Sequence, residues 1–512
     1  MFAHRRLFVA VAVLAWLVTG AALGADTPPR YWKLTILHTN DTHGNLFPFS
    51  YPDPPDPATF EAQLAVRRNI GGIARRATLV EQLRQQFGTT WVVDVGDYMD
   101  GTAFSIEYRG EADVAAMNAL GYTISTHGNH EFNNTRAQWL KLAQMAKFPV
   151  VCANVVDSGT KQPLLKPFEI LNVEGARVAV FGLVTESTRG YPATREGVEI
   201  LDAIPVARQL VPQLREQADV VVLLSHLGIA ADQRLAREVP GIDVIVGGHS
   251  HARLPKPEFV PHGEMESLFR KNGTIIVQAF QWGTELGKLE LILRRDPASG
   301  KWTLMRYDGE LILIGPDIPD HPAVKAVVER YWKPISGYYG VVLGEAEDDF
   351  TRRGNDDAEY NLVADALREM LGTEADLENM GGVRAPILRG PITRYDLAKA
   401  LPFGNTMVKF RASGAQLREL LRRTRPAVSG IRYRFEAGVL TDVTVNGEPL
   451  QDDRQYLLST NSYFAQRYLE PAGIAFEDTG RKRLDIVSDY ILKHKRIRPA
   501  YDGRRIVDQS VY

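Results

Sequence analysis

Between Lys33 and Phe280 the chain alternates short β-branched runs with segments of helical periodicity, and clusters of histidine, aspartate and asparagine stand directly after the runs. The runs are Leu34 to Leu37, Trp91 to Val95, Tyr122 to Ser125, Val178 to Leu183, Val220 to Leu224, Val244 to Val246 and Ile275 to Val277. Between them, segments such as Ile204 to Leu214 place Ile204, Ala207, Leu210 and Leu214 at helical spacing. This alternation predicts an α/β domain with a largely buried sheet. The clusters are Asp41-Thr42-His43, Gly96-Asp97, Gly128-Asn129-His130, Ser225-His226 and Gly247-Gly248-His249-Ser250-His251. Functional groups collect where the strands of such sheets end, so these distant segments are expected to share one site.

At 512 residues, 45% hydrophobic and 24% charged, the chain is globular and too long for one core. The expected organisation is a leader over residues 1–25, a catalytic domain over 31–314, a linker helix within 315–339 and a smaller α+β domain over 340–512. Pro316 to Pro322 breaks the pattern. After it Val324, Val327, Val328, Tyr331 and Trp332 line one helix face, which Pro334 is expected to end. Pro52 to Pro57 reads as a surface loop.

The leader combines Arg5-Arg6, an apolar run from Leu7 to Val18 and small residues at Ala21, Ala22, Gly24 and Ala25. This is the pattern of a cleaved secretory signal, too short in its apolar part to span a bilayer, and it predicts a periplasmic or secreted protein without a stable membrane anchor. The single Cys152 excludes an intramolecular disulfide. It lies in Phe148 to Asn154, which reads as a strand and its exit. The formal net charge of −2 carries no basic footprint, so no nucleic-acid polymer is expected as a partner. No signal in the sequence fixes an oligomeric state.

Asp41 and His43 are two residues apart, as are His249 and His251, and extended chain puts both members of such a pair on one side. With Asp97, Asn129 and His226 they make a mixed nitrogen and oxygen donor set without thiolate, suited to Mn, Zn, Co or Fe(II). Asp97 is the natural bridge, because a carboxylate can span two cations. Two such cations can activate water and stabilise both oxygens of a displacement at phosphorus, with no protein nucleophile. His130 follows Asn129 and is placed to handle a proton. His38 and His127 sit beside the clusters and read as structural; His4, His262, His321 and His494 lie outside them.

These motifs resemble those of the calcineurin-like metallophosphoesterases, and the whole mature chain resembles the secreted 5'-nucleotidase and UDP-sugar hydrolase family. Met117-Asn118, Gln278 to Gly283, Asn379 to Arg384, Leu401 to Asn405 and Thr460 to Tyr463 extend the match. The resemblance implies a metallophosphoesterase sandwich domain and a C-terminal substrate-binding domain. It further implies that Asp41, His43, Asp97 and His251 hold one divalent metal ion, and that Asp97, Asn129, His226 and His249 hold the other. By motif position, Arg353, Asn379 and Arg384 would contact phosphate or ribose, and Phe403 and Tyr463 would sandwich the base of a nucleotide.

Two departures stand out. The family usually has Asp where this chain has Asn133, a neutral amide that gives less charge stabilisation to His130. On that ground both His130 and Asn133 are assigned to catalysis, and Asn133→Asp is expected to raise turnover. After Tyr463 the family has a Gly-Gly-Asp-Gly segment whose acid binds ribose. This chain reads Phe464 to Pro471 there, with Glu470 as the available acid. The leading expectation is a 5'-nucleotidase that releases phosphate from nucleoside monophosphates. The alternatives are the same metal chemistry on a sugar-nucleotide, cyclic nucleotide or sulfur ester, or a nucleotide-binding protein with weak catalysis.

Overall fold

The structure, a computed structural model, describes residues 30–52, 64, 66–262, 273–297, 299–300, 302–353 and 356–508. The expected leader and most of the Pro52 to Pro57 loop lie outside them. Two sheets form the N-terminal half. The first has five strands in the spatial order Trp302–Leu313, Glu285–Arg295, Tyr31–Thr39, Thr90–Asp94 and Ile124–Ser125. The second has six, in the order Glu258–Pro261, Gly273–Val277, Val244–Gly247, Val220–His226, Ala176–Val184 and Phe168–Val173.

Side-chain alternation explains how the sheets stack. In Val220–His226, Val222 and Leu224 face a core shared with Leu34, Ile36, Trp91 and Val93 of the other sheet. Val221 and Leu223 point the other way, into a core with Ala207, Val211 and Leu235 of the helices Ala203–Gln217 and Ile229–Glu238. On the far side, Leu37 and Val92 pack against Val80, Leu83 and Met117 of the helices Ile73–Phe87 and Glu111–Leu120. The result is an α/β/β/α sandwich whose central strands are buried on both faces, which is why they read as unbroken β-branched runs.

Register brings the functional loops to one edge. Thr39 pairs with Asp94, and Asp94 with Ser125, in parallel. In the other sheet Val184 pairs with His226, and Ser225 with Gly247. The loops after these strands therefore leave side by side.

The remainder is α+β. A five-stranded sheet runs in the order Ala427–Ser429, Ala375–Glu378, Gln455–Asn461, Thr406–Ser413 and Phe476–Lys482. The helices Ala358–Leu371, Gly414–Thr424 and Arg483–His494 pack around it and a four-stranded neighbour.

Two local expectations need correction. The connecting helix runs Pro322–Tyr339, straight through Pro334. Its first half buries Val324 and Val328 in the N-terminal core and its second half buries Ile335 and Tyr339 in the C-terminal one. Burial at both ends outweighs the hydrogen bond that a proline removes. Phe148 to Asn154 forms only bridges, from Val150 to Ser125 and Val151 to Lys166, with Cys152 fully buried. Among the described residues no helix is long and apolar enough to cross a membrane.

Phe181 has no exposed surface and sits at the centre of the outer core of the second sheet. Phe181→Ala is expected to lower stability by about 3–5 kcal/mol in urea unfolding, through lost burial and the cavity left behind.

Candidate active site

The clusters meet at the shared edge of the two sheets. Asp41, His43 and His251 bring ligand-type atoms within 4.8 Å of one another, as do Asp97, His226 and His249, and so do His43, Asp97 and His130. His43 Nε2 lies 3.2 Å from His251 Nε2, and His251 Nε2 lies 3.4 Å from Asp41 Oδ1. Asp97 Oδ2 is 3.0 Å from His226 Nε2, 4.0 Å from His43 Nε2 and 3.9 Å from His130 Nε2.

Three of the rings are aimed by a bond at the other nitrogen. Nδ1 of His43 meets the Met99 carbonyl at 3.0 Å, that of His226 the Val95 carbonyl at 2.7 Å, and that of His251 the Gln281 side-chain oxygen at 2.6 Å. With Nδ1 donating, Nε2 is left as the free acceptor on each ring, the form a metal takes. Asn129 is fixed likewise: its amide nitrogen donates to Tyr191 Oη at 3.1 Å, and its buried oxygen has no hydrogen-bond partner. An unpaired buried amide oxygen beside convergent imidazole nitrogens fits a cation.

The electrostatics agree at Asp41, His43 and His249, whereas at His226 burial is outweighed by the adjacent Asp97 carboxylate, which raises the imidazole to about 10. Burial works against ionisation of Asp41, yet His251 and His226 beside it hold its carboxyl at about 2. Burial, reinforced by His130 and Arg384, pushes His43 well below the usual histidine range. Burial and the neighbouring His226 bring His249 down to about 4. Neutral imidazoles and ionised carboxylates are the forms that ligate.

Backbone strain marks the same places. Asp41, His43, Asp97, Asp100, His249 and His251 all have left-handed backbones, with φ between 46° and 70°. Non-glycine residues adopt this conformation rarely, and it persists where surrounding structure imposes it. Glycines allow the close approach. A Cβ on Gly128 would fall 2.2 Å from Asp97 Oδ1, and one on Gly101 would fall 2.0 Å from the His43 carbonyl oxygen.

Several supporting residues escaped the sequence reading. Glu131 has no exposed surface and accepts backbone N–H bonds from Gly128 at 2.7 Å and from Asp97 and Tyr98 at 3.0 Å each. Asn40 donates to Asp41 Oδ2 at 2.7 Å and to the Phe280 carbonyl, and accepts from the Ala279 N–H. Asp100 meets His130 Nδ1 at 3.2 Å. For Glu131 and Asn40 the available signal was an acid or amide directly beside a cluster. His127 packs instead between Tyr98 and Trp139, and His38 is buried away from the cluster.

The C-terminal half reaches the site with some of its expected residues. Arg384 lines a cavity of about 220 Å³ together with His43, Asp100 and Trp282. Phe403 stacks on His130, with centroids 6.2 Å apart and planes 15° apart. Tyr463 is 49% exposed, leaving its ring open. Asn379 is set further back, its side-chain oxygen taken by Asn461 at 2.8 Å. Arg353 lies in the strand Arg352–Arg353, and its side chain is outside the described residues.

Acidic and imidazole groups converging at the strand ends of a two-sheet sandwich, faced by an arginine from a second domain, define a metal-dependent phosphoester hydrolase. The calcineurin-like phosphoesterase family matches residues 34–253, and the 5'-nucleotidase C-terminal domain family matches residues 342–468. A 5'-nucleotidase precursor from Thermus thermophilus is 30% identical, with a TM-score of 0.81 over 93% of this chain and 100% of that one. The 5'-nucleotidase of Vibrio cholerae serotype O1 is 28% identical across 89% of this chain and 90% of its own length. The trifunctional nucleotide phosphoesterase protein YfkN of Bacillus subtilis is 28% identical over 82% of this chain, which spans only 30% of that longer relative. The chain belongs to the 5'-nucleotidase family of calcineurin-like metallophosphoesterases, a family that uses divalent metal.

Glu131→Gln tests the loop clamp. An amide keeps one acceptor oxygen and turns an NH2 group toward the remaining backbone donors. A loss of about 2–4 kcal/mol in stability and a fall in bound metal are expected, read by thermal unfolding and elemental analysis.

Proposed function

We propose that this chain is a secreted phosphohydrolase that works with two divalent cations and releases phosphate from nucleoside monophosphates. In this reading Asp41, His43, Asp97 and His251 hold one cation, and Asp97, Asn129, His226 and His249 hold the other. The observation that carries it is the position of Asp97, whose carboxylate stands between the two ligand groups. When bound, divalent cations such as Mn, Zn or Co lower the pKa of water and offset charge on the attacking and leaving oxygens.

The chain's own residues supply the rest. The backbone N–H of His130 donates to Asp97 Oδ1 at 2.7 Å, which leaves Oδ2 turned inward. His130 Nε2 faces the same space and would hand a proton to the leaving oxygen. Arg384 would oppose phosphate charge with its planar guanidinium, and Phe403 and Tyr463 would offer faces to the base. Arg353 and Asn379 complete the proposed substrate contacts. Secretion rests on the signal-like leader.

A phosphate-release panel over nucleoside mono-, di- and triphosphates and sugar nucleotides, with Mn, Co and Zn supplied separately, decides the substrate class. Nucleoside monophosphates should lead. If no ester is cleaved while nucleotides still bind, the hydrolase reading gives way to a binding protein. Asp97→Ala should lose more than about 100-fold in kcat/KM, beyond what is typical of groups that only support a ligand, and should retain less metal.

A second reading, a substrate other than a ribonucleoside monophosphate, draws on the segment after Tyr463. Phe464, Ala465 and Leu469 are buried there, and Glu470 is exposed at the end of a widened helical turn. A site that gripped the ribose hydroxyls would reject deoxy analogues by several orders of magnitude. Here the loss in kcat/KM between a nucleoside monophosphate and its 2',3'-dideoxy analogue is expected to stay below about tenfold.

A further inference from the structure

The family's acid beside the proton-handling histidine is missing at Asn133, yet a carboxylate still reaches that ring from another loop. Asp100 Oδ2 lies 3.2 Å from His130 Nδ1 and accepts the Asn133 amide N–H at 2.5 Å. The His130 and Asp100 side chains are only 10% and 11% exposed, so the contact is largely shielded from water. We infer that Asp100 is the positioning carboxylate for His130, and that Asn133 serves to hold Asp100 in place.

Three observations support the assignment. Asp100 Oδ2 meets both the ring and the amide, and although the Asn133 amide nitrogen also stands 3.2 Å from His130 Nδ1, the amide N–H is shorter to Asp100 at 2.5 Å, which makes the carboxylate the shared acceptor. Asp100 shares with Asp41, His43 and Asp97 the left-handed backbone found throughout this site, at φ 66°. Its loop is also fixed on both sides: the Asp100 N–H donates to Ser105 Oγ at 2.8 Å, and Gly101 is pressed against the His43 backbone. With Nδ1 bonded to Asp100, the ring presents Nε2 to the interior, where it lies 3.9 Å from Asp97 Oδ2.

This reverses the expectation for Asn133→Asp. A second carboxylate would be placed against Asp100 at hydrogen-bond distance, where like charges repel. The substitution alone should lower turnover rather than raise it.

The inference rests on the proposed role of His130 as the proton donor, and one variant set separates the two. Wild type, Asp100→Asn, Asn133→Asp, the double variant and His130→Ala would be assayed with Mn on a nucleoside monophosphate and on p-nitrophenyl phosphate. Bound metal would be measured in each. Asp100→Asn should lose about 100-fold in kcat on the nucleotide, with KM within about threefold and metal content unchanged. It should lose less than about tenfold on the nitrophenyl ester, whose leaving group needs little protonation. The double variant, which moves the acid to position 133, should recover most of the lost kcat.

The inference is overturned if Asp100→Asn keeps wild-type kcat, if the double variant is no better than Asp100→Asn, or if Asn133→Asp alone gains turnover. Loss of activity in His130→Ala alongside any of these sinks only the Asp100 assignment. Full activity in His130→Ala sinks the proton-donor reading and this inference with it.

Discussion

Three backbone N–H groups on two separate loops point at one buried carboxylate, that of Glu131. The loop carrying Asp97 and the loop carrying Asn129 and His130 leave neighbouring strands, and nothing in strand pairing alone would fix their tips against each other. Glu131 does so from inside. It satisfies donors that would otherwise be stranded in a dry interior, and it turns Asp97 and Asn129 toward the same space. The left-handed backbone at Asp97 is tolerable because these bonds hold it. From that clamp follow the inward turn of Asp97 Oδ2 and the placing of His130 Nε2 3.9 Å from it.

Much of this site could be read from residue order. The β-branched runs became strands close to where they were expected, since buried strands leave a plain hydrophobic record. Asp41 and His43 share one ligand group, but His249 and His251 fall in different ones, and all four have left-handed rather than extended backbone, so the same-side expectation from their two-residue spacing fails for the second pair. What stayed hidden acts through contacts between loops. Glu131, Asn40, Gln281 and Asp100 have no periodic signature, and each matters through a partner that only the fold supplies. Asp100 was invisible for a further reason: its orientation depends on a left-handed backbone that no local preference announces. Pro334 misled in the opposite sense, because a local rule about helix ends yielded to burial at Ile335 and Tyr339.

The connecting helix gives the two halves a shared aromatic contact. Trp332 meets Phe47 of the N-terminal half edge-on at 5.4 Å and Tyr395 of the C-terminal half at 5.3 Å. Tyr108 closes the same region by donating to the Tyr331 carbonyl at 2.7 Å. Edge-to-face packing of this kind adds to simple burial and is directional, so it sets an angle as well as a distance. Placement of Arg384 and Phe403 against the clusters is therefore tied to side chains far from the chemistry.

Positions 100 and 133 together hold one carboxylate and one amide in contact. Exchanging the two would leave the formal charge of the pocket as it is, and the ring between them would still meet an acid. Such a pair lets a lineage move an acid from one loop to another through compensating changes, with the charge inventory preserved. A pattern search that demands aspartate three places after the histidine would discard this chain as inactive, while one that asked which oxygen reaches the imidazole would keep it.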